Sequence, residues 1–288
     1  MHPGVLLRYY RVTKPGIIRG NLIHIIAGYL IAFEAGLTAN SFIGATLGIS
    51  IVIASACVAN NILDAAIDEK MARTKRRELV AQTISRHTAL AYAVALGAVG
   101  FAVLTSLTNM TTVLLGVIAY VWYVWIYGYA KRTTWLSTII GAVPGALPAM
   151  AGYTAVTGTI DSMAWVLFAI VFLWQLPHFY GIAVMRRYEY KSANLPIISN
   201  TFSYATVRVH VYLSVALYIA SILAASYLRV FNVLGIVLLI TASVVWPAYI
   251  HSRDVAEEAK WGKALFLSSL VFPILLVIAS AITVVVGR

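Results

Sequence analysis

The chain alternates long apolar runs with short polar segments. A helix crossing a hydrocarbon layer takes about 20 mostly apolar residues. Nine windows meet that length, at roughly 17–37, 41–62, 88–107, 110–129, 137–157, 162–183, 206–227, 231–250 and 264–286. Backbone groups at lipid depth must find hydrogen bonds inside the protein, and uninterrupted windows of this length fit helices rather than barrel strands. No long polar linker separates the windows. Residues 1–288 therefore read as a single membrane-embedded domain, an all-α integral membrane bundle of nine transmembrane helices. No small-residue cleavage site follows the first window, so it is expected to be a span and not a signal peptide. Gly and Pro concentrate in the fifth window (Gly141, Pro144, Gly145, Pro148, Gly152). There Gly141 and Gly145 form a small-xxx-small pair that predicts close helix packing.

Composition sharpens this picture. The chain is 61% hydrophobic and 11% charged, against about 45–50% and about 25% in soluble domains. Too few charges remain to cover a soluble globule, and disorder is excluded by the same balance. Cys57 is the one cysteine. It excludes a disulfide framework or a thiolate metal cluster within the chain, and reads as a small buried apolar residue. The net charge of +11 marks the inner side of a membrane and not a nucleic-acid binder. With the N-terminus in the cytoplasm, 19 of the 21 Lys and Arg residues fall on one side of the nine windows, and only Arg229 and Arg288 fall outside. The expectation is a multi-pass protein of the cell membrane with a cytoplasmic N-terminus.

The acids are informative by position. Glu34 and Asp161, in outer loops, and Asp254, Glu257 and Glu258, in an inner loop, read as solvated charges. Glu189 follows the sixth window among Arg186, Arg187 and Lys191. Asp64, Asp68, Glu69 and Glu78 share one stretch after the second window. If that window continues as a helix, Asn60, Asp64 and Asp68 lie at i, i+4 and i+8 on one face. Two carboxylates four apart repel, and burial near the membrane boundary penalises each charge further. A divalent cation relieves both costs. Oxygen donors without Cys or His favour Mg²⁺, which commonly shares its shell with substrate phosphates. Arg73 and Arg77 follow, again four apart, and guanidinium forks beside a metal are the parts that hold a diphosphate.

These residues carry a resemblance. Asn60-Asn61-x-x-Asp64-x-x-x-Asp68, then Lys70-Met71-x-Arg73-Thr74-Lys75-x-Arg77, resembles the UbiA superfamily of intramembrane prenyltransferases, and within it the haem-farnesylating branch. Thr13-Lys14-Pro15-Gly16-Ile17-Ile18 with Gly20-Asn21-Leu22-Ile23, Tyr129-Ala130-Lys131-Arg132, Leu173-Trp174-Gln175-Leu176-Pro177-His178-Phe179 and Tyr190-Lys191-Ser192-Ala193-Asn194-Leu195-Pro196 agree with it. The similarity runs from about residue 9 to residue 210. One departure stands out: Glu189-Tyr190 occupies the place of the usual Asp-Tyr, and Ala193 follows where a second acid would stand.

The resemblance implies a UbiA-like bundle whose site faces the cytoplasm, and ionisation of an allylic diphosphate. It assigns Asn60, Asp64 and Asp68 to Mg²⁺, with Glu189 as a weaker ligand. Arg73, Arg77 and Lys131 fall to the diphosphate, with Tyr127 donating a hydrogen bond to it and Lys191 among the substrate-binding residues. The implied substrates are farnesyl diphosphate and haem B, the haem as substrate and not cofactor, with product passing to terminal-oxidase assembly or a haem-modifying protein. His178 would ligate haem iron, orient a propionate, or serve only structurally. His210 has a weaker claim, and His24 reads as packing. His2, His87 and His251 read as loop residues. Trp122, Trp125, Trp174 and Phe179 are candidates for an aromatic wall. Two alternatives stay open: prenylation of an aromatic quinone or lipid precursor, and secondary transport. A transporter would carry its charges at the midplane, whereas these acids gather at the boundary.

Overall fold

The computed structural model describes residues 3–253 and 257–288; His2 and Asp254 lie outside these. The described residues form helices joined by turns, with no strand among them. We label α1 Pro3–Val12, α2 Pro15–Ile31, α3 Ala39–Asp68, α4 Arg86–Leu107, α5 Met110–Thr133, α6 Ser137–Thr157, α7 Ser162–Met185, α8 Arg187–Ser192, α9 Tyr204–Tyr227, α10 Val233–Ser252 and α11 Glu258–Val286. Each of the nine windows corresponds to one helix. Eight are long and apolar enough to cross a membrane. The first is shorter than the sequence implies. α2 stops at Ile31, a 3₁₀ turn follows, and Gly36 at φ 88° turns the chain. Its 17 residues reach about 25 Å, short of a hydrocarbon core of about 30 Å. Leu90, Val94, Leu114, Leu213 and Val237 face outward from the bundle, as a lipid-facing surface requires. This is a multi-pass membrane protein.

α2, α6, α7 and α11 form the centre, with α6 packed against both α2 and α7, and α11 against α7 and α2. α3, α4 and α5 flank one side, and α9 and α10 the other. The prolines in α6, α7 and α10 do not break those helices. A proline lacks the N–H that would bond the carbonyl four residues back. Two of the carbonyls left free in this way accept indole N–H groups. Trp122 Nε1 donates to Ile140 O at 2.9 Å, four residues before Pro144. Trp174 Nε1 donates to Ser269 O at 2.9 Å, four before Pro273, where α11 has a one-residue break at Leu270.

The small residues of α6 act differently from the simple pair reading. Gly141 makes room for the Tyr127 ring and Gly145 for Gln175, both side chains. Backbone-to-backbone contact comes instead at Gly28 and Gly152. A Cβ on Gly28 would lie 1.9 Å from Ala149 O, and one on Gly152 would lie 2.2 Å from Ile25 O. The acids read as solvated loop charges are also more engaged than that. Asp161 caps α7 at Ala164 N and accepts from Tyr153 Oη, Glu34 pairs with Arg288, Glu257 with Lys260 and Glu258 with Arg187. His87 and His251 are exposed but sit at helix ends, not in loops.

The Gly152→Ala variant should lower the thermal midpoint of the detergent-solubilised chain by several degrees, an overpacking cost of about 1–3 kcal/mol. Gly4→Ala, where nothing lies within 4 Å, is the matched control and should leave it unchanged.

Candidate active site

The second span runs on as a helix to Asp68, so the predicted register holds: Asn60, Asp64 and Asp68 are all buried and all border one cavity. That cavity has a volume of about 860 Å³. In α5 a π turn over Trp122–Ile126 precedes Tyr127, and Tyr123, Tyr127 and Lys131, four apart, border the same space. Arg73 and Arg77 also border it, carried by the turn-rich connection between α3 and α4. Thr74, fully buried, ties that connection back by donating to Asp68 O at 2.8 Å.

Each of these three side chains meets a cation of the chain. Asp64 pairs with Lys131 and, at 3.2 Å, with Arg132. Asp68 accepts from Arg77 at 2.6 Å. Asn60 Oδ1 accepts from Lys14 Nζ at 2.8 Å. In a low-dielectric site an unpaired charge is far costlier than an ion pair, and these contacts supply the partners. The Lys131 ammonium also lies 5.4 Å above the Tyr127 ring. Tyr127 thus touches the cation through its π face, a contact the sequence reading did not include.

Lys14 was read from sequence only as part of a motif. Its backbone adopts the left-handed region, φ 55° and ψ 64°, which costs a non-glycine residue about 1–2 kcal/mol. The conformation is held by Asn61, whose Nδ2 donates to Val12 O at 2.8 Å. The adjacent amides therefore divide their tasks, with Asn61 fixing the chain before Lys14 and Asn60 receiving its ammonium. Burial, with Arg77 and Lys131 nearby, lowers the Lys14 pKa to about 8. No local pattern in the sequence announces this contact, which joins residues 46 apart.

Glu189 and Lys191 do not border the cavity. Glu189 instead accepts from Arg186 at 2.6 Å and lies 3.6 Å from Arg73, and Lys191 is exposed. Of the proposed aromatic wall, Trp174 and Phe179 border the cavity and Trp122 and Trp125 do not; the Trp125 side chain faces outward. Cys57 is buried as expected, on the cavity wall. His210 packs among Trp135, Tyr180 and Phe202, away from the cavity.

His178 borders the cavity, and its Nδ1 lies 2.8 Å from Ser269 Oγ. The Ser269 hydroxyl donates its one proton to Phe266 O at 2.6 Å. Its oxygen is thus left to accept from His178 Nδ1–H, which places the Nε2 lone pair free. Trp174 stacks on His178 with centroids 5.2 Å apart and 30° between planes. His24 meets the same indole edge-on at 5.2 Å and borders the cavity too, against the simple packing reading.

The donor set fits a hard divalent cation. Two carboxylates and an amide oxygen share one wall, and among the described residues no group of three or more His, Cys, Asp or Glu forms a closed cage. A cation held at Asp64 and Asp68 would complete its shell with other oxygens, as Mg²⁺ does with phosphates.

A family model described as the UbiA prenyltransferase family matches residues 21–270. A protoheme IX farnesyltransferase from Klebsiella pneumoniae subsp. pneumoniae is 38% identical over 266 residues, covering 92% of this chain and 90% of that protein. Among solved structures, a digeranylgeranylglyceryl phosphate synthase superposes with a TM-score of 0.74 at 17% identity, covering 96% of this chain and 98% of that one. A UbiA homolog from Archaeoglobus fulgidus bound to DMAPP and Mg²⁺ gives 0.72 at 16% identity, covering 94% and 99%. The structural likenesses speak to fold.

A double-mutant cycle on Asp68→Asn and Arg77→Gln, read by unfolding in mixed micelles, should return a coupling of about 0.5–3 kcal/mol. Additive losses would show that the 2.6 Å contact contributes nothing.

Proposed function

The chain belongs to the UbiA prenyltransferase family and is a prenyltransferase, and from that premise we propose that it transfers a farnesyl group from farnesyl diphosphate to a vinyl group of haem B, with addition of water. The observation carrying this reading is one cavity with two chemistries: buried oxygens and cations at one end, imidazoles and indole farther in. The naming of the curated relative over nine-tenths of the chain supports the same substrates. Secondary transport falls away with membership of an enzyme family.

The C–O bond of the allylic diphosphate breaks and its electron pair leaves with diphosphate. The vinyl π electrons form the new C–C bond to the allylic carbon. The positive carbon left next to the porphyrin takes the oxygen of water, which gives up a proton. The chain must stabilise the leaving group, shield the allylic cation and present the vinyl carbon.

Asn60, Asp64 and Asp68 would hold Mg²⁺, as the A. fulgidus homolog's Mg²⁺ complex encourages. When bound, the ion supplies charge neutralisation on the leaving diphosphate. Lys14, Arg77 and Lys131, which pair with those same three residues, turn to the diphosphate, joined by Arg73 at the mouth. Preorganised cations aimed at developing charge are the strongest lever available to such a site. The Tyr127 ring keeps Lys131 in place. Glu189 holds Arg73 and Arg186 and takes the part of a positioning residue, while exposed Lys191 draws anionic substrate to the mouth. Apolar walls keep water from the allylic cation. His178 offers Nε2 to the haem iron, its other nitrogen fixed by Ser269. The distribution of basic residues puts the mouth on the cytoplasmic face of the cell membrane, and a terminal-oxidase assembly step or a haem-modifying protein would take the product.

Membranes incubated with haem B, farnesyl diphosphate and Mg²⁺ should yield a pigment heavier by one farnesyl group and one hydroxyl, read by mass after extraction. Chelation of Mg²⁺ should abolish it. Asp64→Asn and Asp68→Asn should each lower the rate about 100-fold or more while still inserting, and undiminished activity would refute the metal assignment. Lys14→Met should raise KM for farnesyl diphosphate and leave that for haem unchanged. Prenylation of an aromatic acid in preference to haem would instead establish the quinone-precursor alternative.

A further inference from the structure

α1 has two apolar sides, and the bundle covers one of them. Val12 is 2% exposed, and Tyr9, three residues before it, meets Tyr92 of α4 edge-on with centroids 5.1 Å apart. Leu6, Leu7 and Tyr10 share another side, since residues three and four apart lie together on a helix. They are 58%, 44% and 54% exposed. The helix is held in this orientation at its end. Val12 O accepts from Asn61 Nδ2 at 2.8 Å, and Thr13 Oγ1 donates to Tyr10 O at 2.7 Å.

Tyr92 shows where the uncovered side points. It lies six residues into α4 from Arg86, about 9 Å along the helix, between Leu90 and Val94, which face outward from the bundle. α1 therefore lies at the level where the lipid-facing surface begins. Its 10 residues reach about 15 Å, too short to cross a bilayer. Its charge is all of one sign, because no Asp or Glu precedes Glu34 in the chain. Arg8 and Arg11 are exposed and pair with no carboxylate among the described residues.

We propose that α1 is an interfacial helix whose partner is the anionic lipid of the surrounding leaflet. Leu6, Leu7 and Tyr10 enter the boundary between headgroups and acyl chains, and Arg8 and Arg11 meet lipid phosphates. An acidic protein would suit the two arginines but leave three apolar side chains at lipid depth without a partner. The inference is independent of which acceptor the enzyme prenylates.

The test uses the full chain with Cys57→Ala, carrying one nitroxide label at Leu6→Cys or at Arg8→Cys, positions about 200° apart around the helix. Each sits in nanodiscs of phosphatidylcholine, with or without phosphatidylglycerol. Electron paramagnetic resonance power saturation then compares access of oxygen, which concentrates among acyl chains, with access of a water-soluble nickel chelate. The label at position 6 should be relaxed by oxygen and shielded from nickel, and the label at position 8 reached by nickel. Phosphatidylglycerol should lower nickel access at position 6 at least about twofold, and Arg8→Gln with Arg11→Gln should abolish that response. An unchanged thermal midpoint of each labelled chain shows that the bundle is intact. Nickel access at position 6 equal to that at position 8 in both membranes overturns the seat on the bilayer. Shielding of position 6 from oxygen and nickel alike overturns it in favour of a protein cover such as a second copy. Shielding from nickel that does not respond to phosphatidylglycerol overturns the recognition of anionic lipid.

Discussion

The site depends on pairing charge inside a low-dielectric bundle. Asp64 and Asp68 are buried within four residues of each other, an arrangement that repulsion and desolvation both oppose. It persists because Lys131, Arg132 and Arg77 are brought to the same end by other parts of the chain. Lys14 does the same for the Asn60 amide. The groups that stabilise the resting site are thus the groups proposed to act on substrate. In the proposed reaction these groups would exchange partners, carboxylate to metal and cation to diphosphate.

That end is held in shape by features of modest size. Thr74 binds the α3–α4 connection to the end of α3, and Asn61 binds the chain before Lys14. Farther in, the carbonyl left free by Pro273 orients Trp174, and the hydroxyl of the same Ser269 orients His178. One residue of α11 therefore sets two neighbouring rings of α7. Gly145, with no side chain of its own, leaves the volume that Gln175 fills.

Much of this was legible in the sequence, and the reason is locality. Apolar runs located the eight helices long enough to cross a membrane and the shorter α2, and a period of 3.6 residues put Asn60, Asp64 and Asp68 on one face because α3 continues without interruption to Asp68. The end of α2 was misjudged, since the apolar run continues past Ile31 while Gly36 and the charge of Glu34 turn the chain. Contacts between distant segments carried no local signal. Lys14 reaches Asn60 only through a left-handed backbone, and Ser269 lies 91 residues from His178. His24 looked like packing because its sequence neighbours are apolar, and only the assembled bundle shows both its nitrogens without a partner among the described residues.

The contact of α2 with α6 at Gly28 and Gly152 has a bearing on cell energetics. A hollow of this size, open among charged groups at one end, would short-circuit a proton gradient if it ran through to the other. Neither glycine borders the hollow, and each lets one backbone rest directly on its neighbour. The two together bring the α2 and α6 backbones into direct contact, which leaves no room for the hollow to pass between these two helices at that level.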